Sequence, residues 1–295
     1  MFSDILLTSD FDRTLTAPNG EIPQKNLEAI AYFMENGGTF TVNTGRNWPM
    51  SVNNILNKIP MNAPFLFAEG CGVYDVQQNQ LLEYTPLPIS IQDIVEELTE
   101  KYPYITAEIQ CPFQHFRPVY DEGWDLFNRN NLCSNWSYDS VQNIQQPILR
   151  LILRARFTPA NTASGYEAKA LYNSTPEEDA IFQQVADDIE AKYGDKIHVF
   201  RANRWITSLR PLNCSKLAIA RKLQKQLGKK LLICIGDEKN DLSMLEGADY
   251  AFSPADSAMA RFFPNVCPCT EGAVADLIYS KLPLILKERE NGNLL

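Results

Sequence analysis

The chain has 295 residues, 45% hydrophobic and 21% charged. That balance suits one large or two ordinary globular domains and fits disorder, collagen-like repetition or a disulfide-dense miniprotein poorly. Its 27 Lys and Arg against 36 Asp and Glu leave a formal charge of −9, which disfavours nucleic-acid backbones and anionic membranes as partners.

The apolar runs are short, Leu231–Ile235 among the densest, so no bilayer-spanning helix is expected. Asp4, Asp10 and Asp12 interrupt what would be the apolar region of a secretory signal. The seven cysteines are scattered, and Cys267-Pro268-Cys269, the one close-spaced pair, reads as two small buried apolar residues rather than a metal or redox site. The sequons at Asn135, Asn173 and Asn213 carry no meaning without a secretory route, and a reduced, cytoplasmic chain is expected.

Ile5, Leu6 and Leu7 form a short apolar strand ending in Ser9-Asp10-Phe11-Asp12. Pro23 opens a helix with Leu27, Ile30, Ala31 and Met34 at helical spacing, closed by Gly37-Gly38. The strand Thr39–Val42 follows and ends at Asn43-Thr44-Gly45-Arg46. A second helix runs through Val52, Ile55 and Leu56, and another apolar strand covers 64–68. Strand–helix–strand units of this length predict right-handed crossovers and a mostly parallel sheet.

From about Pro86 the rhythm changes. Ser90 caps a helix with Ile91, Ile94, Val95 and Leu98 on its apolar face, and strand-like pieces then dominate, around 116–120 and 148–157. The polar run 161–175 reads as a loop. Thr175-Pro176-Glu177-Glu178 is a capping box with Pro at the first helical position, leading into Ile181, Val185 and Ile189. A hairpin over 197–202 and 205–209 follows. This stretch predicts a separate α+β domain over 86–210. The βα rhythm then resumes: Ser215 caps a helix with Leu217, Ala220, Leu223 and Leu227, ended by Gly228. Leu231–Ile235 runs into Gly236-Asp237-Glu238-Lys239-Asn240-Asp241, Leu242 to Leu245 begin a helix, and the last helix covers 273–286. The middle domain therefore reads as an insertion into a sheet built from both ends of the chain, 1–85 and 211–295.

Three apolar strands thus end in polar clusters: Asp10/Asp12/Thr14, Thr44/Gly45/Arg46 and Asp237/Asn240/Asp241. Parallel sheets gather such ends along one edge, where ligands bind, and Lys216 opens the helix before the third strand. Asp10, Asp12, Asp237 and Asp241 repel one another unless a cation is present, and short all-oxygen sets suit Mg²⁺. A phosphate monoester brings roughly two negative charges near neutral pH, for which Lys216, the Thr44 hydroxyl and strand-end N–H groups are natural donors. One carboxylate could then attack phosphorus while a second, two residues on, protonates the leaving oxygen.

These motifs, in this order, resemble the haloacid dehalogenase (HAD) superfamily, and within it the Cof-like, subclass IIB phosphatases. Asp10-Phe11-Asp12-Arg13-Thr14-Leu15 is similar to the first motif of that family and Thr44-Gly45-Arg46 to the second. Lys216 is similar to the third and Gly236-Asp237-Glu238-Lys239-Asn240-Asp241 to the fourth. The stretch from Phe67 to Tyr74 resembles the segment before the cap. The resemblance implies a Rossmann-like α/β core with an inserted α+β cap, and Mg²⁺-dependent hydrolysis of a small phosphate monoester, a sugar phosphate or related metabolite, through an aspartyl-phosphate. It implies Asp10 as nucleophile and Asp12 as general acid/base. Mg²⁺ would be held by Asp10, the Asp12 backbone carbonyl and Asp237, supported by Asp241, and the phosphate by Thr44, Gly45, Lys216 and Asn240. Cap closure would exclude water.

Three departures stand out. Arg13 replaces a usual Gly, Asn43 a usual small residue, and Leu217 follows Lys216 where Gly is common. Arg13 is a candidate for substrate choice. Arg46 is open between substrate contact and a structural ion pair. Arg150, Arg154 and Arg156 alternate along one strand and are expected on a solvated face rather than facing a phosphorylated substrate. Trp124, Phe127 and Trp136 fit a substrate wall and domain packing equally. Two other functions use similar groups: a phosphomutase, which returns the phosphoryl group to bound sugar, and a non-catalytic sensor of a phosphorylated metabolite. Retention of both Asp10 and Asp12 argues against the sensor, because binding alone needs no acid/base pair.

Overall fold

Strand and helix alternate at both ends of the chain and give way to a strand-rich middle. The first part contains β1 (Ile5–Ser9), α1 (Gln24–Glu35), β2 (Thr39–Val42) and α2 (Trp48–Ser51), which runs on as a π-helical turn, Val52–Leu56. Then come β3 (Phe65–Phe67), β4 (Gly72–Asp75) and β5 (Gln80–Tyr84). The middle holds α3 (Gln92–Lys101), β6 (Ile105–Gln110), β7 (His115–Arg117), α4 (Glu122–Asn130), β8 (Trp136–Tyr138) and β9 (Arg150–Ala155), then α5 (Pro176–Tyr193), β10 (Ile197–Asn203) and β11 (Ile206–Pro211). The last part holds α6 (Lys216–Gln226), β12 (Leu231–Ile235), α7 (Leu242–Glu246), β13 (Tyr250–Pro254) and β14 (Asn265–Val266). It ends with α8 (Ala273–Asp276) and α9 (Leu282–Glu290), joined by a π-helical turn, Leu277–Lys281. The computed structural model describes residues 1–102, 104–155, 175–203 and 206–290; Arg156, Trp205 and nearly all of the expected loop 161–175 lie outside them.

The chain forms two compact units, one from Met1–Gly45, Ile59–Gln80 and Ser215–Leu295, the other from Arg46–Lys58 and Leu81–Cys214. These ranges differ from the expected 1–85, 86–210 and 211–295 chiefly at 46–58, a stretch that groups with the middle of the chain. Its side chains explain why. The Asn47 amide lies 2.9 Å from His115 Nδ1, Pro49 O accepts from Ser134 N at 2.9 Å, and the Asn53 and Asn54 amides donate to Leu132 O and Asn131 O. None of these partners is near in sequence.

In the first unit five parallel strands lie in the order β14-β13-β12-β1-β2. A parallel bridge between Asn43 and Leu66 sets β3 beside the end of β2, and β3 pairs antiparallel with β4. Every residue of β1 and β12 is buried, as expected for parallel strands covered on both faces. Leu6, Leu232 and Cys234 pack with Ile219, Ala220 and Leu223 of α6 and with Met244 and Leu245 of α7, each large aliphatic contributing about 1.5–3 kcal/mol when fully buried. On α1 the buried face is Asn26, Ala29, Ile30 and Phe33, which keeps Ile30 of the expected face and is rotated away from its Leu27, Ala31 and Met34. Asn26 turns inward because its amide spans two backbones, donating to Leu15 O at 3.0 Å and accepting from Ala275 N at 2.9 Å. That pairing satisfies a buried polar side chain.

The second unit is built on a six-stranded sheet in the order β10-β11-β9-β6-β7-β8, antiparallel except for the β7–β8 pair. β10 and β11 pair as the expected hairpin. Alternation along the strands separates two faces. Ile105, Ala107, Ile109, Leu151, Leu153 and Leu209 pack with Ile94, Val95 and Leu98 of α3 and with Phe182, Val185 and Ile189 of α5. Helix α5 starts at the expected capping box, with Glu178 N donating to Thr175 Oγ1 and Thr175 N to Glu178 Oε2. The opposite face carries Glu108, Gln110, His115, Arg117, Arg150 and Arg154. Arg150 is 5% exposed and donates to Gln110 Oε1 at 2.9 Å, and Arg154 pairs with Glu108 at 3.4 Å. The expectation of a solvated arginine face is therefore wrong for Arg150 and Arg154, while Arg156 lies outside the described residues. Strand period says which side chains share a face, and only packing decides whether water reaches them. Trp124 and Phe127 stack on α4, both buried. Among the described residues no helix is long and apolar enough to cross a membrane.

Candidate active site

In the first unit Ser9 lies opposite both Val42 and Ile235, so β1, β2 and β12 leave the sheet together at one edge. Asp10 follows β1, its N–H donating to Ile235 O at 2.9 Å, and the Ser9 hydroxyl donates to Asp10 O at 2.6 Å. Thr44 follows β2, its N–H donating to Leu66 O at 3.0 Å. Gly236 and Asp237 follow β12. Lys216 is the first residue of α6, whose N-terminus is capped by Ser215 Oγ accepting from Ala218 N at 3.0 Å. Asn43 donates to the Lys216 carbonyl at 2.8 Å, tying the start of that helix to the end of β2. Leu217 packs on Gly247, where a Cβ would lie 2.3 Å from Leu217 Cδ2.

The side chains of Asp10, Lys216, Asp237 and Asp241 meet, all buried. Lys216 Nζ donates to Asp10 Oδ1 and to Asp241 Oδ1, each at 2.5 Å. Asp241 Oδ2 accepts from Asp237 N and Glu238 N at 3.0 and 3.2 Å, and the Thr14 hydroxyl donates to Asp237 Oδ1 at 3.3 Å. Burial, reinforced by the Asp241 and Asp12 carboxylates and opposed by Lys216, pushes Asp10 up to about 7. Burial with the Asp10 and Asp241 carboxylates pushes Asp237 up to about 9. Burial alone would lower Lys216, but Asp10 and Asp241 outweigh it and hold the ammonium above its ordinary value. Carboxylate oxygens of Asp10, Asp237 and Asp241 lie within 4.8 Å of one another. Three carboxylates share the site with one ammonium, and burial together with this excess of negative charge raises Asp237. An all-oxygen set with excess negative charge fits a hard divalent cation such as Mg²⁺.

The remaining expected residues fall as follows. Asp12 is half-buried, close enough to raise Asp10. Gly45 touches both Glu69 and Asn240: a Cβ on it would lie 2.4 Å from Glu69 Oε1 and 3.6 Å from Asn240 Nδ2. Asn240 Nδ2 donates to Glu69 Oε1 at 3.2 Å. Glu69, which motif reading assigned no role, is thus a neighbour of the site, and its carboxylate also helps to raise Lys216. Its backbone carries a signal that motifs do not: Ala68, Glu69 and Gly70 are all left-handed, φ 52, 58 and 85°, a conformation costly for the two non-glycine residues. Arg13 is left-handed too, φ 58°, which explains why Gly is usual there; its N–H donates to Thr16 Oγ1 at 3.1 Å. Arg46 belongs to the second unit.

Residues 7–260 match the model of the haloacid dehalogenase-like hydrolases. The chain belongs to that family and is an enzyme of the hydrolase class. The HMP-PP phosphatase of Escherichia coli O81 (strain ED1a) is 21% identical over 255 residues, 84% of this chain and 82% of that protein. Among solved structures, a HAD/Cof-like hydrolase from Plasmodium vivax superposes with a TM-score of 0.71 at 20% identity, covering 96% of this chain and 97% of that one. A HAD subclass IIB sugar phosphatase superposes with a TM-score of 0.70 at 13% identity, covering 98% and 99%. The fold is therefore the α/β fold of those proteins.

Proposed function

We propose that the chain hydrolyses a small phosphate monoester, a sugar phosphate or similar metabolite, in a Mg²⁺-dependent reaction through an aspartyl-phosphate on Asp10. The meeting of Asp10, Lys216, Asp237 and Asp241 at one sheet edge carries the reading. The phosphatase names of its relatives support it. Asp10 Oδ attacks phosphorus, the bond from phosphorus to the ester oxygen breaks, and that oxygen takes a proton from the Asp12 carboxyl. Water then attacks the phosphoryl group and gives its proton to Asp12, so that inorganic phosphate leaves and the Asp10 carboxylate is restored. Lys216, Thr44, Gly45 and Asn240 hold the phosphoryl oxygens, and Lys216 also opposes the rise that burial imposes on Asp10. Mg²⁺, held by Asp10, the Asp12 carbonyl and Asp237 with Asp241 behind them, neutralises charge on the phosphoryl group when bound. The second unit, which contains the expected insertion 86–210, acts as the cap and supplies substrate choice, with Arg13 and Arg46 contributing. All seven cysteines are free, which suits a reducing cytoplasm.

The test is phosphate release from a panel of phosphorylated metabolites with Mg²⁺. Asp10→Asn should retain the wild-type circular dichroism and lose at least about a thousandfold in kcat, as removal of a covalent nucleophile does. Comparable turnover in wild type and variant would remove Asp10 from its role. Sugar bisphosphate formation in place of released phosphate would make the enzyme a mutase, and tight binding without turnover across the panel would make it a sensor.

A further inference from the structure

The second unit holds a charge cluster that the phosphate chemistry does not use. On the polar face of its sheet stand the guanidinium groups of Arg117, Arg150 and Arg154 with the Glu108 carboxylate, and Asp121, at the start of α4, pairs with Arg117. The carboxylates are committed. Glu108 accepts from Gln110 Nε2 at 2.7 Å and from Asn47 Nδ2 and Arg154 Nη2 at 3.4 Å, beside His115 Nδ1 at 3.4 Å. Asp121 caps α4, its Oδ1 accepting from Trp124 N at 3.1 Å, and its Oδ2 takes only Nη1 of Arg117, at a loose 3.3 Å.

Arg117 is 2% exposed, yet among the described residues neither its Nε nor its Nη2 has a partner. Those two N–H groups form the side edge of the guanidinium, the fork that receives both oxygens of a carboxylate or phosphate. The guanidinium lies over Trp124, 3.9 Å from the ring centroid, and Arg154 approaches the same indole at 4.7 Å. Asn128 stands one helical turn beyond Trp124, on the same face of α4. It is fully buried, and neither its Nδ2 nor its Oδ1 has a partner among the described residues. Each buried N–H left unmatched costs about 1–3 kcal/mol, so this edge is unfavourable until an acceptor meets it.

We infer that the second unit carries an anion-binding site of its own, in which the Nε/Nη2 edge of Arg117, with Asn128 and the Trp124 indole, takes a carboxylate or phosphate group. The anion is a free carboxylate or phosphate, so the inference stands apart from the phosphatase reading. Burial lowers Arg117 to about 10, with Glu108 and Asp121 opposing, which leaves the guanidinium charged at neutral pH.

A titration tests it. In EDTA, malonate and inorganic phosphate are titrated against indole fluorescence, with Trp124→Phe identifying the responding residue. A saturable change is expected, weakened at least tenfold in Arg117→Lys, which keeps the charge and loses the fork. No response of Trp124 to either anion, or a response unchanged in Arg117→Lys, would overturn the site and leave Arg117 a packing residue. If Arg117→Lys does not fold, Asn128→Leu takes its place. Failure to turn over any ester would sink the phosphatase reading, and this titration would still decide the anion site.

Discussion

Both units bury charge, but in different ways. At the sheet edge of the first, three carboxylates share one ammonium; on the sheet face of the second, Arg117, Arg150 and Arg154 lie with Glu108 and Gln110, and one edge of Arg117 has no partner among the described residues. The first cluster is assembled from loop ends over two hundred residues apart, the second mainly by alternation along neighbouring strands. Buried charge without a partner is costly whichever its sign, and on the readings proposed above a cation completes one region and an anion the other.

The comparison breaks most visibly where a counter-charge is removed. Glu108→Gln preserves shape but removes the carboxylate that pairs with Arg154, leaving Arg154 and Arg117 to repel each other. A loss of about 3–5 kcal/mol is expected, read from the urea midpoint. Wild-type stability in this variant would show that the arginines do not depend on Glu108.

The same kind of substitution at the other site should act in the opposite direction. Asp237→Asn removes the need to take up a proton on folding, and at pH 8 without metal it should stabilise the protein by a few kcal/mol, at about 1.4 kcal/mol per pKa unit. The pH dependence follows from the raised values of Asp237 and Asp10. A carboxyl group raised by folding contributes stability that is complete below its unfolded value and is lost as pH climbs to the folded one. Metal-free wild type should therefore lose stability relative to Asp237→Asn between about pH 4 and 9. Mg²⁺ should restore it at pH 8.5 far more than at pH 5.5. Parallel curves for the two proteins would show that Asp237 titrates normally.

The smallest effect concerns strain rather than charge. Arg13→Gly relieves a left-handed backbone at φ 58° and should gain about 1 kcal/mol in urea unfolding. No gain would mean that contacts of the arginine side chain offset the strain.

Short buried runs such as Leu231–Ile235 and the polar clusters after them made the α/β fold legible, because an apolar strand must end where its backbone turns out to solvent. Period-2 alternation equally marked Arg150 and Arg154 as sharing a strand face. It could not say what covers that face, and the expectation of water failed. Asn26 turned inward for the same kind of reason: its partners, Leu15 and Ala275, are far from it along the chain.

The sequence alone therefore determined the strand ends, the charge types gathered after them, and the helix caps at Thr175 and Ser215. These depend on neighbours within a few positions. Only the tertiary structure decided that segment 46–58 joins the middle of the chain, that Glu69 reaches Gly45 and Asn240, and that the side edge of Arg117 is buried without an acceptor. Each depends on which distant surfaces exclude water from a group, and local periodicity carries no record of that.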